Sequence, residues 1–238
     1  IQNKDGYFFP MINANPNYDV VSCWYALFKN DKIKYPVKTA EHDFEIKKRL
    51  MLHGEICHAG AIFKKNLIKK FEYRGDVFED YDLWLRIKNE ALFYNIPKVL
   101  FFPRISKKSL SRNEREKILK TIYEIQKPYY ENLHQSFGIK SMQEENEFKG
   151  WREFFFGNKN EARCFWLKLN FKVLLKPKVL IAALITFFPE TIFYKIKNSN
   201  LRFKFQYFFS FFSSQNIKLR NDFKKLIKSL KAVSNTHP

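Results

Sequence analysis

The stretch Phe78-Glu79-Asp80-Tyr81-Asp82-Leu83-Trp84-Leu85-Arg86 limits the fold more than any other part of the chain. Three carboxylates fall within four residues and an apolar run follows at once. This is the pattern of a helix start, because the unpaired N–H groups and positive dipole end of a first turn favour negative charge. A helix over about 79–90 puts Leu83, Trp84 and Ile87 near one face, with Asp80 one turn earlier. A carboxylate carried on such a helix can work as a general base, since packing fixes it to hydrogen-bond precision. The same residues also suit a helix that needs only an acidic, soluble N-terminus. Both readings stand on this stretch alone.

The segments on either side predict an α/β layered domain. Tyr18 to Phe28 is β-branched and aromatic and reads as a buried strand. Lys29-Asn30-Asp31-Lys32 is a polar turn, after which Lys34 to Val37 returns as a short edge strand holding Pro36. Glu41 to Leu52 has helical character, His58 to Phe63 reads as a strand, and Asn66 to Lys70 as a helical turn. Tyr73 to Asp76 is loop before the acidic helix, and Leu92 to Tyr94 and Lys98 to Phe102 are read as two strands. Tyr7 to Ile12 is expected to form a short helix with Pro10 in its first turn.

Beyond Ser111 the pattern turns helical. Arg112 to about His134 forms a charged helix interrupted near Pro128, and Gly138 to Glu147 reads as a polar linker. Trp151 to Lys172 is aromatic and helical. Val179 to Phe188 is the most apolar run, and at ten residues it is too short to span a bilayer as a helix, which takes about 20. Leu201 to Phe212 and Phe223 to Leu230 offer further Phe–Lys helices.

Charge is unevenly placed. Residues 151–238 carry 17 Lys and Arg against 4 Asp and Glu, so they hold about +13 of the net +19. The same residues contain 15 of the 27 phenylalanines. A basic surface of this size favours a polyanion, and Phe beside Lys favours an anionic membrane over nucleic acid. Nucleic-acid binding is the weaker reading, because there are no Arg-Gly repeats and no RNA-binding consensus. Cys23, Cys57 and Cys164 are odd in number and lack metal-ligand spacing, so they read as free thiols in a reducing compartment. Ile1 to Asp5 has no apolar core of a secretory signal. The expected location is cytoplasmic, peripheral on the inner face of the cell membrane.

Four motifs occur in order: Ile56-Cys57-His58-Ala59-Gly60-Ala61-Ile62-Phe63-Lys64-Lys65, the acidic helix, Asn95-Ile96-Pro97-Lys98-Val99-Leu100, and Arg104 with Ser109-Leu110-Ser111. Over roughly residues 3 to 111 this arrangement resembles family 2 glycosyltransferases, inverting sugar transferases of GT-A fold. The acidic helix and the Asn-Ile-Pro strand are its specific parts. The resemblance implies the C-terminal part of a GT-A mixed sheet flanked by helices, followed by a mainly α-helical extension. The divisions are 1–111 for a partial GT-A domain on the acceptor side, 112–150 for a helix and linker, and 151–238 for a basic aromatic tail.

By the same resemblance Asp80 matches the base, and Glu79 orients it or contacts the acceptor. Trp84 packs the helix under the site, while Asp82 is a binding residue or a structural helix-face contact. His58 lines the acceptor side or is a partly buried His bonded to a loop carbonyl. Arg104, Ser109 and Ser111 match a mobile segment that approaches the donor phosphates, and Arg104 serves equally as a surface ion-pair residue. Pro103 and Ser106 stand where the family pattern has an aromatic and a His. The implied cofactor is a divalent metal, Mg or Mn, which such enzymes hold on an Asp-x-Asp. Asp5, in Asn3-Lys4-Asp5, is the candidate ligand and equally a plain surface residue. The resemblance therefore places the start of this sequence at or just after the metal motif, with most of the nucleotide-binding half missing. The expected reaction moves a sugar from a nucleotide-sugar to a saccharide or lipid-linked acceptor. The alternative is a non-catalytic fragment or membrane-associated interaction protein that keeps half of the fold.

Overall fold

The computed structural model describes residues 16–52, 54–75, 78–105 and 115–198, together with 221, 223–225 and 227–228. Its organising strand is β1 (Val20–Lys29), whose β-branched and aromatic residues suit a buried pleated surface. Asn30 and Asp31 both take positive φ, at 50° and 55°. This is the twist that a two-residue hairpin needs, and it folds β2 (Lys32–Val37) back antiparallel on β1. Pro36 is tolerated because, among the described residues, β2 pairs with β1 alone and lies at the sheet edge.

The short β3 (Ile62–Phe63) pairs antiparallel with Val20 and Val21, while β4 (Phe93–Phe101) runs parallel to β1 along its other edge. In β4 the register slips between Ile96 and Val99, which pair with Cys23 and Trp24. Pro97 has no N–H to give the ladder, so the chain bulges there and continues. The two strands expected around Asn95-Ile96-Pro97 are thus one strand with a bulge. His58 to Phe63 is not a strand throughout. His58–Gly60 is a 3-10 turn and only Ile62 and Phe63 pair.

The crossover from β1 to β4 contains α1 (Asp43–Leu50), α2 (Lys65–Lys70) and α3 (Glu79–Ile87). Val20 of the sheet, Ile46 and Leu50 of α1, and Leu83, Trp84 and Ile87 of α3 form one buried core. The opposite face of β1 and β4 buries Val21, Cys23 and Ile96 in a thinner cluster, as alternation along a strand requires. The described residues therefore form a mixed sheet flanked by helices and followed by a helical extension.

That extension begins with α4 (Arg115–Tyr130), which keeps Pro128 in its last turn, and continues with α5 (Leu133–Phe137). The segment read as a linker is largely helical, because α6 runs from Met142 to Phe155. Ser141 caps it, its hydroxyl accepting from the Glu144 N–H at 3.2 Å. Three helices replace the one expected over Trp151–Lys172: the end of α6, then α7 (Lys159–Leu167) and α8 (Phe171–Leu174). The apolar run becomes α9 (Pro177–Ile185), and α10 (Glu190–Asn198) follows. No described helix is long and apolar enough to cross a membrane. The helices expected at Tyr7–Ile12 and Leu201–Phe212 lie outside the described residues, and 223–225 and 227–228 are helical.

Two cores meet at α6. Ile118, Ile122 and Phe148 join the core beneath the sheet, whereas Phe154 belongs to a second core with Trp166, Val179, Ala183 and Phe193. Trp151 packs against both.

Candidate functional site

The site grows from the start of α3. Phe78, the residue before the helix, has φ 60° and ψ 34°. A bulky side chain rarely adopts this left-handed backbone, and the strain, on the order of 1–3 kcal/mol, persists only where surrounding packing imposes it. The turn it makes delivers Glu79, Asp80 and Asp82 to the first turn of the helix. The Asp80 carboxylate accepts from the Tyr81 N–H at 2.8 Å. It also lines a cleft of about 190 Å³ with Leu52, Ile56, Phe78, Trp84, Ile122 and Phe156. Asp80 is the one carboxylate among the lining residues, in an otherwise mainly apolar wall.

Asp82 is engaged differently. It accepts from Arg86 Nε at 2.7 Å, and Arg86 Nη2 donates to the Glu72 carbonyl at 2.7 Å. The pair braces the preceding loop against α3. Glu79 is half-buried on the same turn. Burial raises the pKa of the Tyr73 hydroxyl, and the Asp80 and Glu79 carboxylates add to the rise, which puts Tyr73 in their neighbourhood.

His58 lies in a cluster of rings. Its ring centroid is 5.7 Å from Trp84, 5.9 Å from Tyr73 and 6.4 Å from Phe63. His58 Nδ1 and Trp84 Nε1 are both buried without a protein hydrogen-bond partner. Leaving a polar atom so costs about 1–3 kcal/mol, which a ligand oxygen would relieve. Next to His58, burial pushes the Cys57 thiol up to about 11, with the Asp80 carboxylate contributing to the rise. Asp80, Cys57, His58 and Trp84 therefore share one neighbourhood.

The turn is held in place by β1 and β4. The Ser22 hydroxyl accepts from the Cys57 N–H at 3.1 Å and donates to the Cys57 carbonyl at 3.2 Å. The Asn95 amide donates to the Ala40 carbonyl at 2.7 Å and the Glu55 carbonyl at 2.8 Å. Asn95 of the Asn-Ile-Pro motif thus ties two loops to the sheet beside the site. Glu55, 4 % exposed, accepts from the Ala40 N–H at 2.7 Å.

Arg104 is not part of this constellation. It is exposed and pairs with Phe28, six residues along β1 from Ser22, or roughly 20 Å at strand rise. Asp5, Ser109 and Ser111 lie outside the described residues. Among the described residues no three His, Cys, Asp or Glu side chains gather to hold a metal ion. Ile122 and Phe156, which complete the cleft from the helical extension, carried no signal in the sequence that tied them to it.

A buried polar network joins that extension to α3. Gln126 donates to the Met51 carbonyl at 2.6 Å and the Tyr81 hydroxyl at 3.0 Å, and it accepts from Arg152 Nε at 3.1 Å. The Arg152 guanidinium lies 3.8 Å from the Tyr123 ring centre and 4.1 Å from that of Tyr130, and Nη1 donates to Glu153 at 2.7 Å. No family model matches the chain, and no curated protein or solved structure matches it either.

Proposed function

We propose that the Asp80 cleft is the acceptor side of an inverting glycosyl-transfer site. In this reading an acceptor hydroxyl lies against Asp80. Its oxygen attacks the anomeric carbon of a nucleotide-sugar from the face opposite the departing nucleoside diphosphate. The carboxylate takes the hydroxyl proton, the new C–O bond forms, and the bond to the diphosphate breaks with its electron pair. Trp84 edges the cleft and His58 lies beside it with its ring tilted 52° to that of Trp84, and their unpartnered ring nitrogens suit the hydroxyls of a sugar.

The observation that carries this reading is Asp80 itself, an ionisable group on a helix start in an apolar cleft beside two unpartnered ring nitrogens. The order of the four motifs supports the finer assignment to the GT-A type. A complete enzyme of this type uses Mg or Mn to neutralise the leaving diphosphate. The described residues offer no cluster of three ligands for such an ion.

The test is release of nucleoside diphosphate by the full chain with Mg or Mn, screened over several nucleotide-sugars with saccharide and lipid-linked acceptors. Acceptor-dependent release with at least one donor is the expected result. A folded chain that releases none with any donor contradicts the reading and leaves the interaction protein.

A further inference from the structure

The outer side of the C-terminal helices has no part in the Asp80 cleft. Helix α9 is apolar on both sides. Val179, Ala182 and Ala183 are buried in the second core, while Lys178, Ile181 and Leu184 recur every three residues on the outward side. Ile181 is 43 % exposed, Leu184 56 % and Phe187 60 %. Phe171 and Leu175, from the neighbouring α8 turn that contacts α9, are 76 % and 45 % exposed. A surface helix normally shows water a polar face, and a contiguous apolar one marks an interaction surface.

The charges around this surface identify its partner. Between Glu161 and Glu190 the chain has no carboxylate, but it has Arg163, Lys168, Lys172, Lys176 and Lys178, of which Lys176 is paired with Glu147 at 2.7 Å. Helix α7 brings Arg163 and one further basic group, Lys159, to the turn after α9. The Arg163 guanidinium lies 4.7 Å from the Phe187 ring centre, and Lys159 Nζ donates to the Phe188 carbonyl at 2.8 Å. Large apolar side chains with a mainly positive rim match a leaflet of acyl chains beneath anionic headgroups. A nucleic acid would use the cations and leave Ile181 and Leu184 unsatisfied, since its phosphates offer no apolar phase.

We infer that α8, α9 and the turn at Phe187-Phe188 form a docking surface for an anionic phospholipid bilayer, with α9 lying in the plane of the interface. Its inner stripe stays on the protein while Ile181 and Leu184 enter the acyl boundary. The helix lies on the membrane and does not cross it.

The experiment is co-sedimentation of the full chain with vesicles of phosphatidylglycerol mixed with phosphatidylcholine, and with phosphatidylcholine alone. Wild type is expected to bind the anionic vesicles, with binding weakened by about 0.5 M salt. Ile181→Gln with Leu184→Gln is expected to weaken it about tenfold or more at unchanged melting temperature. Lys172→Glu with Lys178→Glu, two exposed positions, gives an independent loss of similar size and keeps the test open if the first pair folds poorly. Equal binding to both vesicle types, or either folded pair binding like wild type, overturns the inference. So does capture of RNA without vesicles, or a dimer abolished by the Ile181/Leu184 pair in a chain that ignores vesicles.

Discussion

Asp80 and Asp82 stand two positions apart on α3 and meet opposite surroundings. Asp82 is held by Arg86, whose second contact secures the loop at Glu72, so its work is structural. Asp82→Asn should lower stability by about 1 kcal/mol in a denaturant melt, because both partners keep some solvent contact. Glu55 gives a pH signature. Burial is the largest influence on its carboxyl and raises its pKa above 4.5, against smaller lowering effects from the Ala40 N–H and Arg49. A raised folded pKa means that its contribution is complete below the ordinary carboxylate range and declines as pH rises through the folded value. Melting temperature across that window should therefore fall less in Glu55→Gln than in wild type; parallel curves would contradict this. The place of Asp80 in the first turn of α3 was legible in the sequence because acidic first turns have an electrostatic cause. Phe78 was not, since a left-handed Phe goes against its own preference and is imposed by packing from elsewhere.

At the scale of elements, close approach of α6 and α7 depends on Gly150. A Cβ there would lie 2.2 Å from Trp166 Nε1, and Trp166 is fully buried. Gly150→Ala should destabilise by about 1–3 kcal/mol despite the better helix propensity of Ala, read as a lower denaturation midpoint. A neutral or stabilising result would mean that the helices do not pack so closely. The sheet was largely legible, because β1, the Asn30-Asp31 turn and the Pro36 edge strand follow from local chemistry. Pro97 misled, since Pro breaks a ladder bond without having to end a strand. Helix α6 had a readable signal in Ser141-x-x-Glu144, which has the spacing of a capping box, but its charged residues masked Phe148 and Phe154, which enter different cores.

For the whole molecule, the extension is not an appendage to the sheet domain. Ile122 and Phe156 help line the cleft, and Gln126 and Arg152 link Tyr81 of α3 to α4 and α6. Arg152→Met would leave Glu153, itself 4 % exposed, without its charge partner. The expected loss is roughly 3–5 kcal/mol, with both cores melting in one transition. Two separate transitions in wild type would contradict that coupling. Composition showed the basic charge of the C-terminal part but could not show that the helices before it close a cleft, because such contacts join residues far apart in sequence. The proposed transfer depends on Asp80. Its most direct test is the rate of sugar transfer by Asp80→Asn beside wild type and Asp82→Asn, with all three chains shown to be folded. Asp80→Asn should lose about 10²–10⁴ in rate at an unchanged melting temperature, while Asp82→Asn stays within about tenfold of wild type. Wild-type turnover in Asp80→Asn, or an equal loss in both variants, would contradict the account.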